Sequence, residues 1–350
     1  MKGTSLPTRV LGTSGVPLLI VLVALVVIFQ ILNPVFLDGN TVQNYLRNGI
    51  PILLLTLGVS IVIIGGGIDL SVGAVVGLSA GMTMYVLVEG APLWLGVMTG
   101  VGTGLAFGLV NGFVVAYLNM NDFIATLATL NIGAGLLVVL SQARLLQGVT
   151  TPGFPDLARG TTLGIPTPFL ITGIIFVLVQ LLLAKSVFGR RVYALGVSAQ
   201  AASVAGVDVR RVRMATFALS GLLAGVAGVL FASRMGAVQA FLGTGFEFIA
   251  IAGAVIGGVS LAGGRGTAWA ALVGGLFLAT LQQGLRLNNV DPVYFSVLTA
   301  LCVVLGVVFD RQVHRFVARM GLSKTAAAHA IPRTVAHGRS ELGEPSGKGA

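Results

Sequence analysis

Charged residues are scarce in this sequence. Only 9% of its 350 residues are Asp, Glu, Lys or Arg, whereas 55% are hydrophobic. Soluble domains carry about 25% charged residues, so a soluble globular protein is excluded. Long apolar runs recur from residue 15 to residue 309, and such runs are typical of a polytopic membrane protein.

Groups that carry out chemistry are also few. The one cysteine, Cys302, lies in an apolar run, which excludes a disulfide framework and a thiolate metal site. The three histidines, His314, His329 and His337, do not have the spacing of metal ligands. The sequence contains no G-x-x-x-x-G-K-[ST] loop, no H-E-x-x-H motif and no nucleophile–base pair. It therefore predicts no ATP site, no metal, no bound cofactor and no catalysis on this chain.

The apolar runs predict an all-α integral membrane protein. Since a helix needs about 20 apolar residues to cross the hydrocarbon, we expect about ten spans. They cover residues 15–32, 49–66, 70–88, 93–117, 123–141, 167–185, 214–233, 246–262, 267–285 and 293–309. The first span is interpreted as an uncleaved helix, with a removable signal peptide as the alternative. The glycine-rich junctions at residues 65–67 and 263–266 leave re-entrant segments open as another interpretation.

Basic residues predict the orientation of these spans. With ten spans and a cytoplasmic N-terminus, 16 of the 21 Lys and Arg residues fall in cytoplasmic segments and five fall outside. This bias predicts that both termini are cytoplasmic. We expect a transmembrane domain over residues 1–311 and a basic, disordered cytoplasmic tail over residues 312–350. The net charge of +10 comes mostly from this bias and the tail, and no basic face with aromatic residues predicts a nucleic-acid partner.

The segment GGGIDLSVG, residues 65–73, places a carboxylate within an otherwise apolar stretch. One helix of about forty residues would measure about 60 Å, twice the membrane thickness, so the chain must break, and the glycines are where it can. In a structural interpretation, Asp69 or Ser71 caps the helix that follows. In a functional interpretation, Asp69 faces a water-filled pathway, because a carboxylate at membrane depth is costly and usually has a task. The residues leave both interpretations open.

Glycines recur every four residues in GVMTGVGTGLAFGLVNG. They line one face of a helix and predict the close approach of another helix backbone. These helix-packing residues are Gly96, Gly100, Gly104, Gly108 and Gly112. Asn111, beside the end of the stripe, is interpreted either as an interhelical hydrogen-bonding residue or as a residue that lines a pathway.

The longest polar loop on the predicted cytoplasmic side covers residues 186–213. Its middle, residues 198–207, is rich in alanine and lies between arginine clusters. This pattern predicts a short exposed helix that docks in the groove of a partner. An ordinary positive-inside loop would explain the arginines but not the exposed alanines and valines.

Two further patterns lie around the eighth predicted span. Thr244 and Glu247 have the spacing of a capping box, which would open this helix. GGVSLAGG, residues 257–264, resembles GGIDLSVG, residues 66–73, with Ser260 in place of Asp69. The pair hints at a repeated broken helix, a feature that transporter folds often have.

Four segments in order carry a family resemblance: GGGIDLSVGAVVGLSAG, NDFIATLATLNI (121–132), FGRRVYALG with the alanines and glycine that follow it, and the stretch 233–267. Together they resemble the membrane permease subunit of bacterial ATP-binding-cassette importers for monosaccharides, the ribose, xylose and galactose type, over roughly residues 40–311. The resemblance implies a homodimer in the bacterial cytoplasmic membrane. A separate cytoplasmic ATPase subunit would bind ATP and Mg²⁺, and a soluble extracytoplasmic binding protein would deliver the solute.

The candidate residues of the translocation pathway or its gate are Gly66, Gly67, Asp69, Ser71, Asn111 and Thr126. The resemblance does not assign Asp69 a contact with the solute, and a conformational role for it stays open. Residues of the loop that couples to the ATPase would be Gln200, Ala201, Ala202, Gly206, Arg210 and Arg211. The coupling segment SAQAAS lacks the acidic residue that family members often place before the paired alanines, which leaves the identity of the ATPase open.

Two other function classes fit the same features. A related permease of the same architecture would carry another solute, such as a branched-chain amino acid, a nucleoside or an autoinducer-type molecule. An ion-coupled secondary carrier would need ionisable residues within its spans, of which the chain offers Asp69 and Glu247. The sequence does not specify the solute.

Overall fold

The computed structural model describes residues 16–301 except residues 292, 296 and 299. The helices in chain order are α1 (Val16–Leu32), α2 (Gly39–Asn48), α3 (Ile50–Ile64), α4 (Val72–Val88), α5 (Leu93–Ala116), α6 (Asp122–Ser141), α7 (Asp156–Arg159), α8 (Thr167–Lys185), α9 (Val187–Val197), α10 (Ala199–Val204), α11 (Val209–Met235), α12 (Phe246–Gly257) and α13 (Ala268–Leu287). Four two-residue strands form two small antiparallel sheets. In these, β1 (Leu146–Gln147) pairs with β4 (Ala237–Val238), and β2 (Thr161–Thr162) pairs with β3 (Ile165–Pro166).

Within this part of the chain, 6 helical segments are long and apolar enough to span a membrane. They are Gly39–Ile64, Leu93–Ala116, Asp122–Ser141, Thr167–Lys185, Val209–Met235 and Ala268–Leu287. Shorter apolar helices cover Leu18–Leu32, Val72–Val88 and Phe246–Gly257. The predicted all-α membrane protein is therefore confirmed. Most of the predicted span 293–309 and the whole predicted tail 312–350 lie outside the described residues.

Several helix ends differ from the predicted spans. α11 begins at Val209 rather than at residue 214, because the Asp208 side chain caps it by accepting a hydrogen bond from Arg211 N at 3.1 Å. The predicted span 246–262 is helical only as far as Gly257, since Gly258 adopts φ 105° and ends the helix. Capping chemistry thus sets these ends, whereas hydropathy indicates only that a helix is present.

The helices α2, α7, α9 and α10 fall outside the predicted spans, and side chains cap the start of α2 and of α9. α2 begins where Asp38 Oδ2 accepts a hydrogen bond from Asn40 N at 3.2 Å. α9 begins where Ser186 Oγ accepts a hydrogen bond from Gly189 N at 3.0 Å. Both are too polar and too short to be recognised as membrane spans.

The buried core includes the whole of α3. All 15 residues of this helix are buried, Ile50 to Ile64. A helix that is apolar on every side must be enclosed on every side. α11, α12 and α13 all pack against it, and α11 also packs along α4 and α5.

The glycine stripe of α5 meets the backbone of α11. A Cβ atom on Gly104 would lie 2.6 Å from Gly225 Cα. α11 contributes a glycine of its own, because a Cβ atom on Gly221 would lie 2.7 Å from Gly108 Cα. The two helices are therefore closer than side chains would allow.

The ends of the stripe have other neighbours. A Cβ atom on Gly112 would lie 2.8 Å from Met214 Cα in α11. Gly96 lies against Leu87 of α4, and Gly100 lies between Thr83 of α4 and Val229 of α11. The stripe as a whole therefore holds α5 in the angle between α4 and α11.

Gly104→Ala is expected to destabilise the protein, because the added methyl group meets the backbone of α11, which cannot move aside as a side chain can. Overpacking costs about 1–3 kcal/mol, which exceeds the roughly 1 kcal/mol that alanine gains over glycine in a helix. Thermal unfolding of the detergent-purified protein measures the difference. The matched control is Gly102→Ala, whose Cβ atom would meet nothing within 4 Å. A Gly104→Ala protein as stable as this control would contradict the close packing.

Candidate functional site

The chain breaks between α3 and α4, at the predicted glycines. α3 ends at Ile64, Gly66 turns the chain with φ 79°, and α4 begins at Val72. Glycine adopts a positive φ without strain. Residues 65–71 are called the first break below, and residues 258–267, between α12 and α13, are called the second break.

Asp69 is buried in the first break, with 1% of its surface exposed. Its Oδ1 accepts hydrogen bonds from Ser71 N at 3.0 Å and Ser71 Oγ at 2.6 Å, and its Oδ2 accepts one from Ser220 Oγ at 2.8 Å. Ser71 stands at the N-cap position of α4 but makes no side-chain cap bond. The prediction that the Ser71 side chain caps α4 is therefore wrong. The carboxylate instead binds the N-cap residue and holds the start of α4 against α11.

Asn111 of α5 joins the same hydrogen-bond network. Its Nδ2 donates to Ser71 Oγ at 2.8 Å. Its Oδ1 is buried with no hydrogen-bond partner in the described part of the chain. Asp69, Ser71, Asn111 and Ser220, called the Asp69 network, therefore connect α4, α5 and α11 at one point. Asn111 thus acts as an interhelical hydrogen-bonding residue in this structure.

A second carboxylate, which the sequence does not single out, also binds the first break. Asp122 Oδ2, at the start of α6, accepts a hydrogen bond from Ile68 N at 2.7 Å. Thr126, one turn later, is buried beside the break and donates to the Asp122 carbonyl at 2.7 Å, within its own helix. The signal in the sequence is an Asn121–Asp122 pair, which predicts only a helix cap. That cap exists as well, because Asn121 Oδ1 accepts a hydrogen bond from Ile124 N at 3.3 Å.

The two breaks meet each other and α9 at a cluster of glycines. Gly264 N donates a hydrogen bond to Ile64 O at 2.8 Å. A Cβ atom on Gly263 would lie 2.9 Å from Gly66 Cα, and one on Gly196 of α9 would lie 3.0 Å from Gly264 Cα. These five residues are called the glycine junction. The two similar sequences are thus in direct contact, and the end of α9 touches both.

The capping box predicted at Thr244 and Glu247 is wrong. α12 begins at Phe246 with Gly245, at φ 88°, in the N-cap position. Thr244 therefore stands one residue too early, and its Oγ1 donates to Phe241 O at 2.9 Å. Glu247 Oε1 accepts a hydrogen bond from Gly245 N at 3.2 Å, while its Oε2 is buried without a partner among the described residues.

The predicted docking helix is shorter than expected. The sequence predicts a helix over residues 198–207, whereas α10 covers Ala199–Val204. Ser198 Oγ caps it by accepting a hydrogen bond from Ala201 N at 3.2 Å. Gly206 then turns the chain with φ 81°. The residues after the turn lead into α11.

The surface around α10 is apolar and exposed. Val197 is 75% exposed and Val204 is 87% exposed. Gln200 and Ala201 are exposed as well, whereas Ala202 is buried. Exposed valines gathered in this way are typical of a surface that a partner covers.

Arg210 and Arg211 lie in the first turn of α11 and are exposed. Arg211 Nε pairs with Asp208 at 3.0 Å, and the Arg210 guanidinium lies 6.0 Å from the centre of the Tyr117 ring. Arg210 also lines an open groove of about 350 Å³ between α10, the end of α5 and the start of α11. The predicted coupling residues therefore share one end of the helices with the glycine junction.

Asp69→Ala is expected to destabilise the protein strongly, because Ser71 N, Ser71 Oγ and Ser220 Oγ lose their common acceptor. Each buried unsatisfied group costs about 1–3 kcal/mol. Asp69→Asn should cost less, since its amide oxygen still accepts hydrogen bonds from Ser71 while the Ser220 hydroxyl accepts one from its NH₂ group. Ser220→Ala leaves one buried group, Asp69 Oδ2, without its donor and serves as the reference at about 1–3 kcal/mol. Thermal unfolding ranks the three variants, and an Asp69→Ala protein no less stable than Ser220→Ala would contradict the network.

Comparison with known proteins identifies relatives. Residues 41–307 match the family described as "Branched-chain amino acid transport system / permease component". The chain is 39% identical over 289 residues to the ribose import permease protein of Bacillus subtilis (strain 168), which covers 82% of this chain and 90% of that protein. It is 34% identical over 298 residues to the D-allose transport system permease protein of Escherichia coli (strain K12), with 84% and 91% covered. It is 37% identical over 258 residues to the L-arabinose transport system permease protein of the same organism, with 74% and 78% covered.

No solved structure matches the chain. The matched range includes both breaks, the Asp69 network and the coupling loop. The resemblance to permease subunits of bacterial monosaccharide importers is thereby confirmed. This multi-pass membrane protein belongs to the family of transport-system permease components.

Proposed function

We propose that this chain is the membrane-spanning permease of an ATP-binding-cassette importer and forms the translocation pathway for a monosaccharide. The observation that carries the proposal is the 34% to 39% identity to permeases whose names give ribose, D-allose and L-arabinose, over most of their length. A soluble binding protein delivers the sugar from outside, and a separate ATPase powers its passage.

The proposed topology has ten crossings of the cytoplasmic membrane, with both termini in the cytoplasm. The glycine junction, α9 and α10 lie together at one end of the helices, called the coupling end. The ends of α1 and α13 meet at the other, called the far end, where Asn33 Nδ2 donates to Leu287 O at 3.0 Å. The paired arginines Arg190 and Arg191 in α9 favour a cytoplasmic coupling end.

The ATPase subunit is proposed to bind at the coupling end. The exposed Val197 and Val204 and the groove beside α10 give it an apolar surface to cover. ATP and Mg²⁺ belong to that subunit, and this chain supplies the surface that receives its movement. Because α9 reaches the glycine junction, closure of the ATPase would displace both breaks together.

A second copy of this chain is proposed to complete the pathway. α5, α6 and α8 expose large apolar side chains, among them Val110, Val139 and Ile174, which are 53%, 75% and 63% exposed. Such surfaces need lipid or another helix to cover them. Lipid covers most of this surface in the proposed assembly, and the second copy covers the rest.

The residues of the first break are proposed to act in gating rather than to contact the sugar. The Asp69 carboxylate already accepts hydrogen bonds from three protein donors and is 1% exposed, so a solute does not reach it in this conformation. Gly66 lets the break turn, Gly67 leaves room for the side chains of Val62 and Asp122, and Thr126 supports the break from α6. A change in the break would therefore alter the path by moving α4 relative to α11.

A branched-chain amino acid is the second candidate solute. The observation that favours it is the description of the matched family, which names this solute class. The sugar is preferred because all three relatives given above have sugars in their names. Uptake of radiolabelled ribose, allose, arabinose and leucine by cells that express the complete importer distinguishes the two. Leucine uptake without uptake of any sugar would overturn the monosaccharide proposal.

The tagged chain, extracted in mild detergent from its native membranes, is expected to copurify with a soluble ATPase subunit in a stoichiometric ratio. The reason is that α10 and its exposed valines offer a docking surface at the coupling end. Mass spectrometry identifies the copurifying chains. If the chain emerges alone, even after cross-linking and with added nucleotide, a separate ATPase partner is refuted.

Ala201→Glu is expected to weaken ATPase binding and lower uptake at least about tenfold, because it places a charge on the exposed face of α10. Folding should be unaffected, unlike with Ala202→Glu, whose charge would enter the core. Ala201→Ser, small and neutral, is the matched control. Copurification and uptake are measured for each variant, and normal values for Ala201→Glu would show that the ATPase docks elsewhere.

A further inference from the structure

The far end of the helices contains a cavity of about 270 Å³. The start of α3, the end of α11, the start of α12 and the end of α13 form its walls. In the proposed topology it opens on the outer side of the membrane. Its lining contains no predicted pathway residue and no predicted coupling residue.

One buried amide faces this cavity. Gln283 of α13 is 6% exposed, so its side chain lies inside the protein. It lines the cavity and makes no hydrogen bond to any group that the structure describes. The amide is open to the cavity, since it is not among the fully enclosed polar atoms that lack a partner in the described chain. The amide is therefore available to a ligand in the cavity.

The other polar groups around the cavity are planar hydrogen-bonding groups. Asn48 is the last residue of α2, Arg234 lies at the end of α11, and Gln282 and Arg286 lie in α13 beside and one turn after Gln283. Neither arginine forms an ion pair with a described residue, since the ion pair found in the described part of the chain joins Asp208 to an arginine at the coupling end. Among the described residues neither guanidinium donates a hydrogen bond, so both can donate to oxygen atoms of a ligand.

Two aromatic rings complete the lining. Phe231 and Phe246 contact each other with ring centres 6.1 Å apart and an interplanar angle of 61°. Both rings border the cavity. The aromatic carbons offer an apolar surface opposite amide and guanidinium groups.

We propose that this cavity binds one monosaccharide at the outer mouth of the permease. Sugar hydroxyl groups both donate and accept hydrogen bonds, so the amides of Gln283 and Asn48 can satisfy them. The guanidinium fork of Arg286 can donate to two neighbouring hydroxyl oxygens at once. The apolar C–H face of the sugar packs against Phe231 or Phe246. The inference rests on the proposed function and assigns to it a solute-binding site.

The size of the cavity agrees with a small ligand. Pockets for drug-sized ligands measure about 300–1,000 Å³, and this cavity is about 270 Å³. A single monosaccharide fits this scale, whereas an oligosaccharide does not. The arginines also give the mouth a positive charge, because Arg47 and Arg234 line a neighbouring pocket and Arg159 Nε donates to Arg234 O at 2.8 Å. Acidic groups of a docking protein are the alternative occupants, and the test below separates them from the sugar.

The test uses the complete importer in proteoliposomes, with sugar-loaded binding protein added outside and ATP inside. The sugar is whichever of ribose, allose or arabinose the unmodified importer moves fastest. Gln283→Ala is expected to lower the sugar moved per ATP hydrolysed about tenfold, because a hydrogen bond to the passing sugar is lost. Stimulation of ATP hydrolysis and affinity for the binding protein should remain unchanged.

The matched control is Gln239→Ala, an exposed glutamine that follows β4 and does not line the cavity. Arg286→Lys is the second variant, at an exposed position that a folding defect should not complicate. It keeps the charge but loses the planar fork, so it should also lower the sugar moved per ATP.

Two results would overturn the saccharide site. If Gln283→Ala and Arg286→Lys both move sugar as well as the control does, the cavity does not bind the solute. If Arg286→Gln weakens binding of the binding protein while sugar moved per bound complex stays constant, the arginines serve protein docking instead. Failure of the proposed function itself is a separate result, in which the unmodified importer moves none of the three sugars.

Discussion

A helix interrupted within a membrane protein leaves backbone N–H and C=O groups that only protein can satisfy, because hydrocarbon offers no hydrogen bonds. This constraint governs both breaks. In the first break, the carboxylates of Asp122 and Asp69 accept hydrogen bonds from Ile68 N and Ser71 N. The Ile64 carbonyl at the end of α3 accepts its hydrogen bond from Gly264 N in the second break. Each break therefore depends on other elements for its shape, and neither can move alone without leaving buried groups unpaired.

The glycines follow from the same constraint. For backbone to bind backbone across three chain segments, nothing larger than a hydrogen atom can stand between them. A Cβ atom on Gly196 would meet Ile64 O and Gly264 N, and one on Gly263 would lie 2.9 Å from Gly66 Cα. The stripe on α5 has a different reason, since it brings α5 against α11 by dispersion contacts along a whole helix face. The glycines thus serve at least two purposes. At the glycine junction they let three chain segments come into backbone contact, and along α5 they let a whole helix face pack against α11.

Much of the fold could be predicted from the sequence, because hydropathy reports directly which segments are long and apolar enough for a membrane. The first break was predictable too, since forty apolar residues exceed the membrane thickness and glycines mark the weak point. The residues that bind the first break could not be predicted from the sequence. Ser220 and Asp122 are distant in sequence from Asp69, and a serine in an apolar helix or a carboxylate at a helix start each has an ordinary local explanation. The capping box at Thr244 failed for a related reason: local spacing indicates a cap, but the positive φ of Gly245 places the helix start one residue later.

The coupling end and the far end are mechanically connected by α3. This helix begins beside the cavity, where Pro51 and Ile52 line the wall, and ends at Ile64 in the glycine junction. Its 15 residues make a rod of about 22 Å. α12 repeats the arrangement, because Phe246 at its start lines the cavity and its last residue precedes the second break. Close-packed helices shift as rigid bodies rather than bend. A displacement of α9 at the glycine junction would therefore reach the cavity through two helices at once, although no residue of α9 lies near it. Under the proposed function, coupling then needs no flexible relay, only two breaks that the hydrogen bond from Gly264 N to Ile64 O and a set of glycines hold together.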